Sequence, residues 1–351
     1  MIISTCGFGS TGSSAVSDYL LECSIIKVFD GFEFNLVHME DGLEDLEYHI
    51  MNGTRSFSSI AAIERFKKSY LMFVHYWSAN SGATKQSFIK ILDEFLSSIT
   101  QVSFVGDKPL VLMNSFERFL GVSIINQRLI RFLEKRGLMK QNCNYYPLSK
   151  VSISCRPSNF DQAAKKFVHD FLSVIGCVDD EYLVLDQAFT GNNPQKSFKF
   201  FDNPYAIVVD RDPRDQYIFA KKFLLSRGRY IPTDTVDNFI TYYRCLRDNQ
   251  PYKKENERVL RISFEEMVYN YDEAANKIDS FLGIKNNSRK TIFIPEISAA
   301  NTNLIRKFPE LQSDISQIEQ RLPEYLFPFE NYKEISTDHE MFMGKSPLNK
   351  G

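Results

Sequence analysis

The chain has 351 residues, and at about 150 residues per domain that accommodates two domains or one large α/β domain. Its 42 Lys and Arg against 44 Asp and Glu leave a net charge of −2, which excludes a polybasic nucleic-acid coat and an acidic tail protein. Hydrophobic residues make up 43%, with 30 Phe and 17 Tyr, enough for a real core and incompatible with disorder as the main state.

No stretch approaches the length of an apolar membrane span, and the first positive charge is Lys27, so neither a transmembrane helix nor a secretory signal is expected. Cys6, Cys23, Cys143, Cys155, Cys177 and Cys245 are scattered without a C-x-x-C pair, and the histidines are equally dispersed. Neither a zinc site nor a disulfide framework is suggested. These features predict a cytoplasmic protein with reduced thiols.

In chain order, Ile2-Ile3-Ser4-Thr5 reads as a short strand, followed by a Gly/Ser loop from Gly7 to Ser14. A helix comes next, with Ala15, Val16, Tyr19 and Leu20 on one face. Ile25 to Val28 is a second strand, leading into an acidic-aromatic loop, Asp30-Gly31-Phe32-Glu33-Phe34. Residues from about 42 to 175 read as mostly helical, over Ile60–Phe73, Lys85–Ser98, Phe116–Lys135 and Asp161–Ile175.

The α/β pattern then returns. Tyr182-Leu183-Val184-Leu185-Asp186 is a strand ending in a carboxylate, and Asn192-Asn193-Pro194 is a turn. Tyr205 to Asp210 is a continuous apolar run of the buried parallel type, running into Arg211-Asp212-Pro213-Arg214-Asp215 with Pro213 in a helix's first turn. Helices are expected near 213–224 and 234–248, a strand at Arg258–Ile262, and helices from Phe264 to Leu282 closed by Gly283. Strands alternating with helices predict a three-layer α/β domain on a parallel sheet, residues 1–330, with a large helical insertion at about 42–175. The last twenty or so residues, 331–351, are polar and expected to be loosely held and mobile.

Gly7-Phe8-Gly9-Ser10-Thr11-Gly12-Ser13-Ser14 lies between a strand and a helix, where backbone N–H groups and a helix N-terminus can hold phosphate. The Gly7-x4-Gly12 spacing is P-loop-like, but Ser13 stands at the lysine position. The bland reading is a tight β–α turn. A P-loop nucleotidase or kinase would use Asp210 as its Mg²⁺ carboxylate, and the missing lysine counts against it.

At Val208-Val209-Asp210-Arg211-Asp212-Pro213-Arg214-Asp215 the chain resembles the sulfotransferases that use 3′-phosphoadenosine 5′-phosphosulfate (PAPS), whose R-[ND]-P-[RK]-D element binds the donor's 3′-phosphate through its arginine. Arg211 falls on that arginine. The family's G-x-P-[RK]-S-G-T-[ST] loop matches Gly7 to Ser14 at both terminal-spaced glycines and in hydroxyl type at Thr11, Ser13 and Ser14. A third block, Arg258 to Met267 followed by Ile278-Asp279-Ser280-Phe281-Leu282-Gly283, puts Phe264 at the aromatic position near the adenine. The resemblance spans residues 7–283 outside the helical insertion.

It implies a sulfotransferase moving a sulfuryl group from PAPS to an acceptor hydroxyl by in-line displacement, leaving adenosine 3′,5′-bisphosphate and requiring no metal. The donor site would comprise Gly9, Ser10, Thr11, Gly12, Ser13, Ser14, Arg211, Phe264 and Arg306. The chain departs from the family at Ser10, where a Lys or Arg is usual, and at Phe219, where a serine shares the 3′-phosphate. Lys221, Lys222, Arg306 and Lys307 are the cations available to compensate, or they form a solvated helix face.

The base is not the family's histidine, because counting back from Arg211 reaches Asp186-Gln187. Two carboxylates are candidates. Glu33 lies 21 residues after Gly12 between Phe32 and Phe34, whose partial desolvation would raise its pKa, and it is slightly favoured. Asp186, at a strand end, faces the crevice beyond the sheet edge. His38 and His75 are lesser candidates, with His75 expected in the core or at an edge. Pro295 to Leu304, rich in Ser, Asn and Thr, either bonds a nucleotide or sugar or is a capped loop. A bacterial-type resemblance implies a carbohydrate or glycolipid acceptor, for which Trp77 is a possible platform. No nucleic-acid partner is implied. The alternative is a catalytically inactive binding protein on the same fold.

Overall fold

The computed structural model describes residues 1–53, 55–140, 144–178, 180–224, 228–248, 256–286 and 289–343. Cys143 lies outside them, and the other five cysteines form no disulfide among the described residues. The chain divides into two compact units, one made of Met1–Asn35 with Gly176–Gly351 and the other of Leu36–Ile175.

The first unit is α/β and carries a five-stranded parallel sheet. Its strands are β1 (Ile2–Gly7), β2 (Ile26–Phe29), β5 (Tyr182–Asp186), β6 (Pro204–Asp210) and β7 (Val259–Ser263), in spatial order β2-β5-β1-β6-β7. β3 (Val102–Asp107) and β4 (Leu148–Ile153) form a separate antiparallel pair in the second unit. Residues of β1, β5 and β6 pointing to either side are buried, among them Ile3, Cys6, Leu183, Val184, Ala206 and Ile207. That explains their near-continuous apolar reading.

Helices Ser13–Leu21, Phe264–Tyr269 and Tyr271–Leu282 pack on one face through Val16, Tyr19, Leu20, Met267 and Ile278. Gly283 closes the last of them at φ 68°, the left-handed cap its sequence position suggested. Helices Pro213–Lys222, Val236–Arg247 and Gln312–Arg321 share a second cluster around Phe239, Ile240, Tyr243, Ile315 and Ile318. Residues 332–343 adopt no regular structure, are half-buried or exposed, and touch the unit at a few points, while 344–351 lie outside the described residues. Tyr332 stacks on Phe327 at 4.9 Å, and Phe342 exchanges two backbone-to-side-chain hydrogen bonds with Asn301.

In the second unit, helices Ser56–Ser81, Lys85–Ile99 and Phe160–Val174 enclose an aromatic core. Trp77 sits there 2% exposed, with Tyr70 and Phe171 ring centroids 4.9 and 5.0 Å away, so it is core and no sugar platform. His75, expected in the core or at an edge, is exposed on the helix. This unit is not purely helical, because it contains the β3–β4 pair. The segment read as one helix at Phe116–Lys135 has a π-helical middle, Phe119–Ile130, between α-helical ends.

Candidate functional site

A parallel sheet sends the C-terminal ends of all its strands to one edge. The loop at Gly7 after β1, Glu33 beyond β2, Asp186 at the end of β5, Arg211 after β6 and Phe264 after β7 therefore all follow strand ends on that edge. The chain leaves β1 toward the β2 side and leaves β6 toward β7. The strand order thus reverses between β1 and β6, which is where open α/β sheets bind ligands. Gly7 is registered against Val209, so the glycine loop and Arg211 emerge side by side.

The loop is bent by a left-handed run: Gly9 at φ 80°, Ser10 at 54° and Gly12 at 87°, the last serving as N-cap of helix Ser13–Leu21. A Cβ at Gly7 would meet Thr11 Oγ1 at 2.1 Å, and one at Gly12 would meet the Phe264 ring at 2.6 Å. Only glycine lets Phe264 close over the turn. Thr11 is buried and accepts from Phe8 N at 3.2 Å, while the side chains of Ser10, Ser13 and Ser14 are partly exposed. The Ser10 hydroxyl is bonded to Tyr230 Oη, and the Ser13 hydroxyl accepts from Gln187 Nε2 at 3.0 Å.

Arg211 is only 4% exposed. Its guanidinium donates to the Ser10 carbonyl at 3.1 Å and to the Asn301 carbonyl, and lies over the rings of Phe219 at 4.8 Å and Phe264 at 5.5 Å. Phe219, at the serine position, is therefore a stacking surface for this cation. Burial pulls the Arg211 pKa down, opposed by Asp215, Glu265 and Asp212. The same burial pushes Asp215 up to about 7 and Glu265 well above the carboxylate range, with Asp212 adding repulsion to both. Arg211 Nε, Gln216 Oε1 and Glu265 Oε2 are buried without a hydrogen-bond partner among the described residues. Unsatisfied buried polar atoms of this kind concentrate where a ligand is handled.

Residues beyond the sequence reading complete the surroundings. Gln216 Nε2 donates to the Gly9 carbonyl at 2.7 Å, Glu265 Oε1 accepts from Asp212 N at 3.0 Å, and Asp215 accepts from Asn303 and Leu304 N at 2.7 Å each. Arg247 grips both oxygens of Asp210 at 2.6–2.9 Å and lies 4.1 Å from the Phe8 ring. No sequence motif marks Arg247. Its only signal is a basic residue in the last turn of an amphipathic helix.

Of the compensating cations, Lys221 is paired with Asp314 at 2.9 Å, Lys222 with Glu310 at 2.6 Å, and exposed Arg306 with Glu334. Lys307 donates to the Ala300 carbonyl at 3.2 Å. The Pro295–Leu304 segment is a short helix and turn whose Asn301 carbonyl caps Arg211.

The two candidate bases interact. Asp186 is pushed up to about 7, chiefly by burial and then by the charge of Glu33, against hydrogen bonds from Thr5 and Gln187 N. Its Oδ1 has no hydrogen-bond partner among the described residues. Glu33 itself is exposed, although Phe32 and Phe34 beside it are buried, so the flanking rings do not desolvate it. Phe34 N donates to the Asp186 carbonyl at 2.7 Å, holding the β2 loop against the end of β5. Gln187, left-handed at φ 56°, turns the chain so that its amide reaches Ser13. Compared with known proteins, the chain matches no family model, no curated protein and no solved structure.

Proposed function

We propose that the α/β unit binds the phosphate groups of a PAPS-type donor and transfers its sulfuryl group to an acceptor hydroxyl, most simply that of a carbohydrate or glycolipid. The observation that carries this reading is the pairing, at the sheet's reversal point, of a left-handed glycine loop on a helix N-terminus with a buried arginine after the next strand. The resemblance in the Arg211 and Phe264 blocks adds the donor's identity. The cradle fits an anion: left-handed turns at Gly9 and Gly12 lead into a helix N-terminus, and Arg211 Nε has no partner among the described residues.

In this reading the loop N–H groups and the Ser13 and Ser14 hydroxyls bind the sulfonate and phosphate oxygens. Arg211 exchanges a carbonyl partner for the 3′-phosphate. Phe264 lies against the base. Asp186 accepts the acceptor's proton as the new oxygen–sulfur bond forms and the bond to the bridging phosphate oxygen breaks. A carboxylate near 7 is half ionised at neutral pH, which suits a general base. Asp210 is fully engaged by Arg247, which argues against its use as a nucleotidase's Mg²⁺ ligand.

A second reading, a binding protein without turnover, is favoured by Ser10 in place of a loop cation. A nucleotide panel with and without Mg²⁺ tests the first step. Adenosine 3′,5′-bisphosphate should bind in preference to ATP without metal, and Arg211→Ala should weaken it by roughly 10- to 150-fold more than it weakens 5′-AMP, the value of one charge-assisted contact. Equal losses for both ligands would remove Arg211 from the 3′-phosphate. Turnover of PAPS then separates enzyme from binder.

A further inference from the structure

The second unit carries a cleft of about 930 Å³ between helix Ser56–Ser81, the start of the Ser115 helix and β4. Six basic side chains line it against three acidic ones. Asp41 is taken by Arg65 at 2.8 Å, and Lys108 is taken by Glu117 at 2.8 Å. Lys67, Lys68, Arg118 and Lys150 have no ion-pair partner among the described residues, so the cleft keeps an excess of positive charge. With Glu40 and Glu64 the remaining acids of the lining, four cations stand against two carboxylates, a net positive excess that a bound anion would neutralise.

Arg118 also lines a neighbouring cavity of about 460 Å³ with Leu110, Phe119 and Val122. The surface beside it is apolar: Phe116 is 70% exposed, Phe119 58% and Leu110 49%. Residues 102–140 hold seven Lys and Arg against three Asp and Glu, in a chain whose net charge is −2. A second copy of the chain would bring the same positive surface against itself. A soluble anion would use the cleft and leave the rings in water. A basic surface interleaved with exposed Phe and Leu is the pattern of an interfacial membrane contact.

We propose that this cleft binds the anionic headgroup of a membrane lipid, with Phe116, Phe119 and Leu110 entering the acyl boundary beside it. The inference uses no residue of the sheet unit and stands whether or not that unit transfers sulfuryl groups. At about 1 kcal/mol per basic residue near an anionic surface, removing two cations corresponds to a loss of roughly 30-fold.

Flotation of the full chain with phosphatidylcholine vesicles, with and without phosphatidylglycerol, is the test. Binding should require phosphatidylglycerol and weaken as salt is raised. The double variant Lys67→Glu, Lys68→Glu should lose at least about 30-fold, and Phe116→Ser with Phe119→Ser about tenfold or more. Circular dichroism should report an unchanged fold for both, since Lys68, Phe116 and Phe119 are exposed. Vesicle binding unaffected by the charge reversals would overturn the site. Inorganic pyrophosphate or polyglutamate binding as tightly as the vesicles, with no dependence on the two Phe residues, would overturn the lipid and leave a soluble anion or an acidic protein as the ligand.

Discussion

The two units of this chain bury different things. Among the described residues, the sheet unit withdraws eight charged side chains from water, including Arg211, Asp212, Asp215, Arg247 and Glu265, whereas the helical unit withdraws one, Glu44. Both units bury rings, but in the helical unit they make a core almost without charge: Phe66, Tyr70, Trp77, Phe88, Phe95, Phe167 and Phe171 lie in a chain of contacts with centroids 4.6–6.4 Å apart. A core of rings needs no counter-ions, so its lysines stay at the surface. A parallel sheet edge gathers loops with polar backbone, and buried charges there must be held by specific partners. Function is therefore expected to reside in buried charges in one unit and in unpaired surface cations in the other.

The largest effect that sharpens this contrast concerns Asp186. Asp186→Asn should lower the proposed sulfuryl turnover by roughly 10²–10⁴-fold with donor affinity nearly unchanged, while Glu33→Gln should lose less. The opposite ranking, measured as kcat against KM for each variant, would transfer the base to Glu33. Next are the two kinds of burial. Trp77→Ala should cost about 3–5 kcal/mol in urea denaturation by opening a cavity among the rings. Arg247→Met leaves the partly exposed Asp210 without its partner and should cost about 1–3 kcal/mol. Near-neutral Arg247→Met would show that the sheet unit's buried charge is not held by pairing.

A smaller effect is pH dependence. Asp186 and Asp215 both stand near 7 in the folded chain, above the ordinary carboxylate value near 4. The folded state therefore holds more protons than the unfolded state between about pH 4 and pH 7. The stability these groups contribute is present below about 4 and is lost as pH rises through about 7. Tm should fall across that window, and Asp215→Asn should flatten the fall. A Tm rising from pH 5 to 7 with the same slope in both proteins would contradict the burial of these carboxylates. The smallest expected change is Lys67→Met, within about 0.5 kcal/mol of the parent, because the side chain has no ion pair among the described residues to lose.

All five sheet strands were legible, β5 and β6 most plainly because their apolar runs are buried on both faces, and edge strand β2, buried only at Ile26, from its short apolar pattern. β3 and β4 were not. Val102, Phe104 and Val105 alternate poorly with their neighbours and stay exposed, so the pair has little apolar pattern to read. The candidate site was legible where it is contiguous, in Gly7–Ser14 and Asp210–Asp215. Arg247, Gln216, Tyr230 and Glu265 were not singled out, since each gains its role from a partner between 37 and 220 residues away.

Periodicity, glycine placement and strand-end carboxylates are properties of neighbouring residues, and local sterics alone set them. The sequence by itself thus determined the parallel strands, the loop between β1 and its helix, and the glycines at the left-handed helix ends Gly12 and Gly283. Only the tertiary structure decided which charges are buried together. Phe219 stacks on Arg211, Asp210 is claimed by Arg247, and Asp186 rather than exposed Glu33 is the desolvated carboxylate. The reason is physical: desolvation and pairing depend on what surrounds a group in space, and those neighbours come from distant parts of the chain.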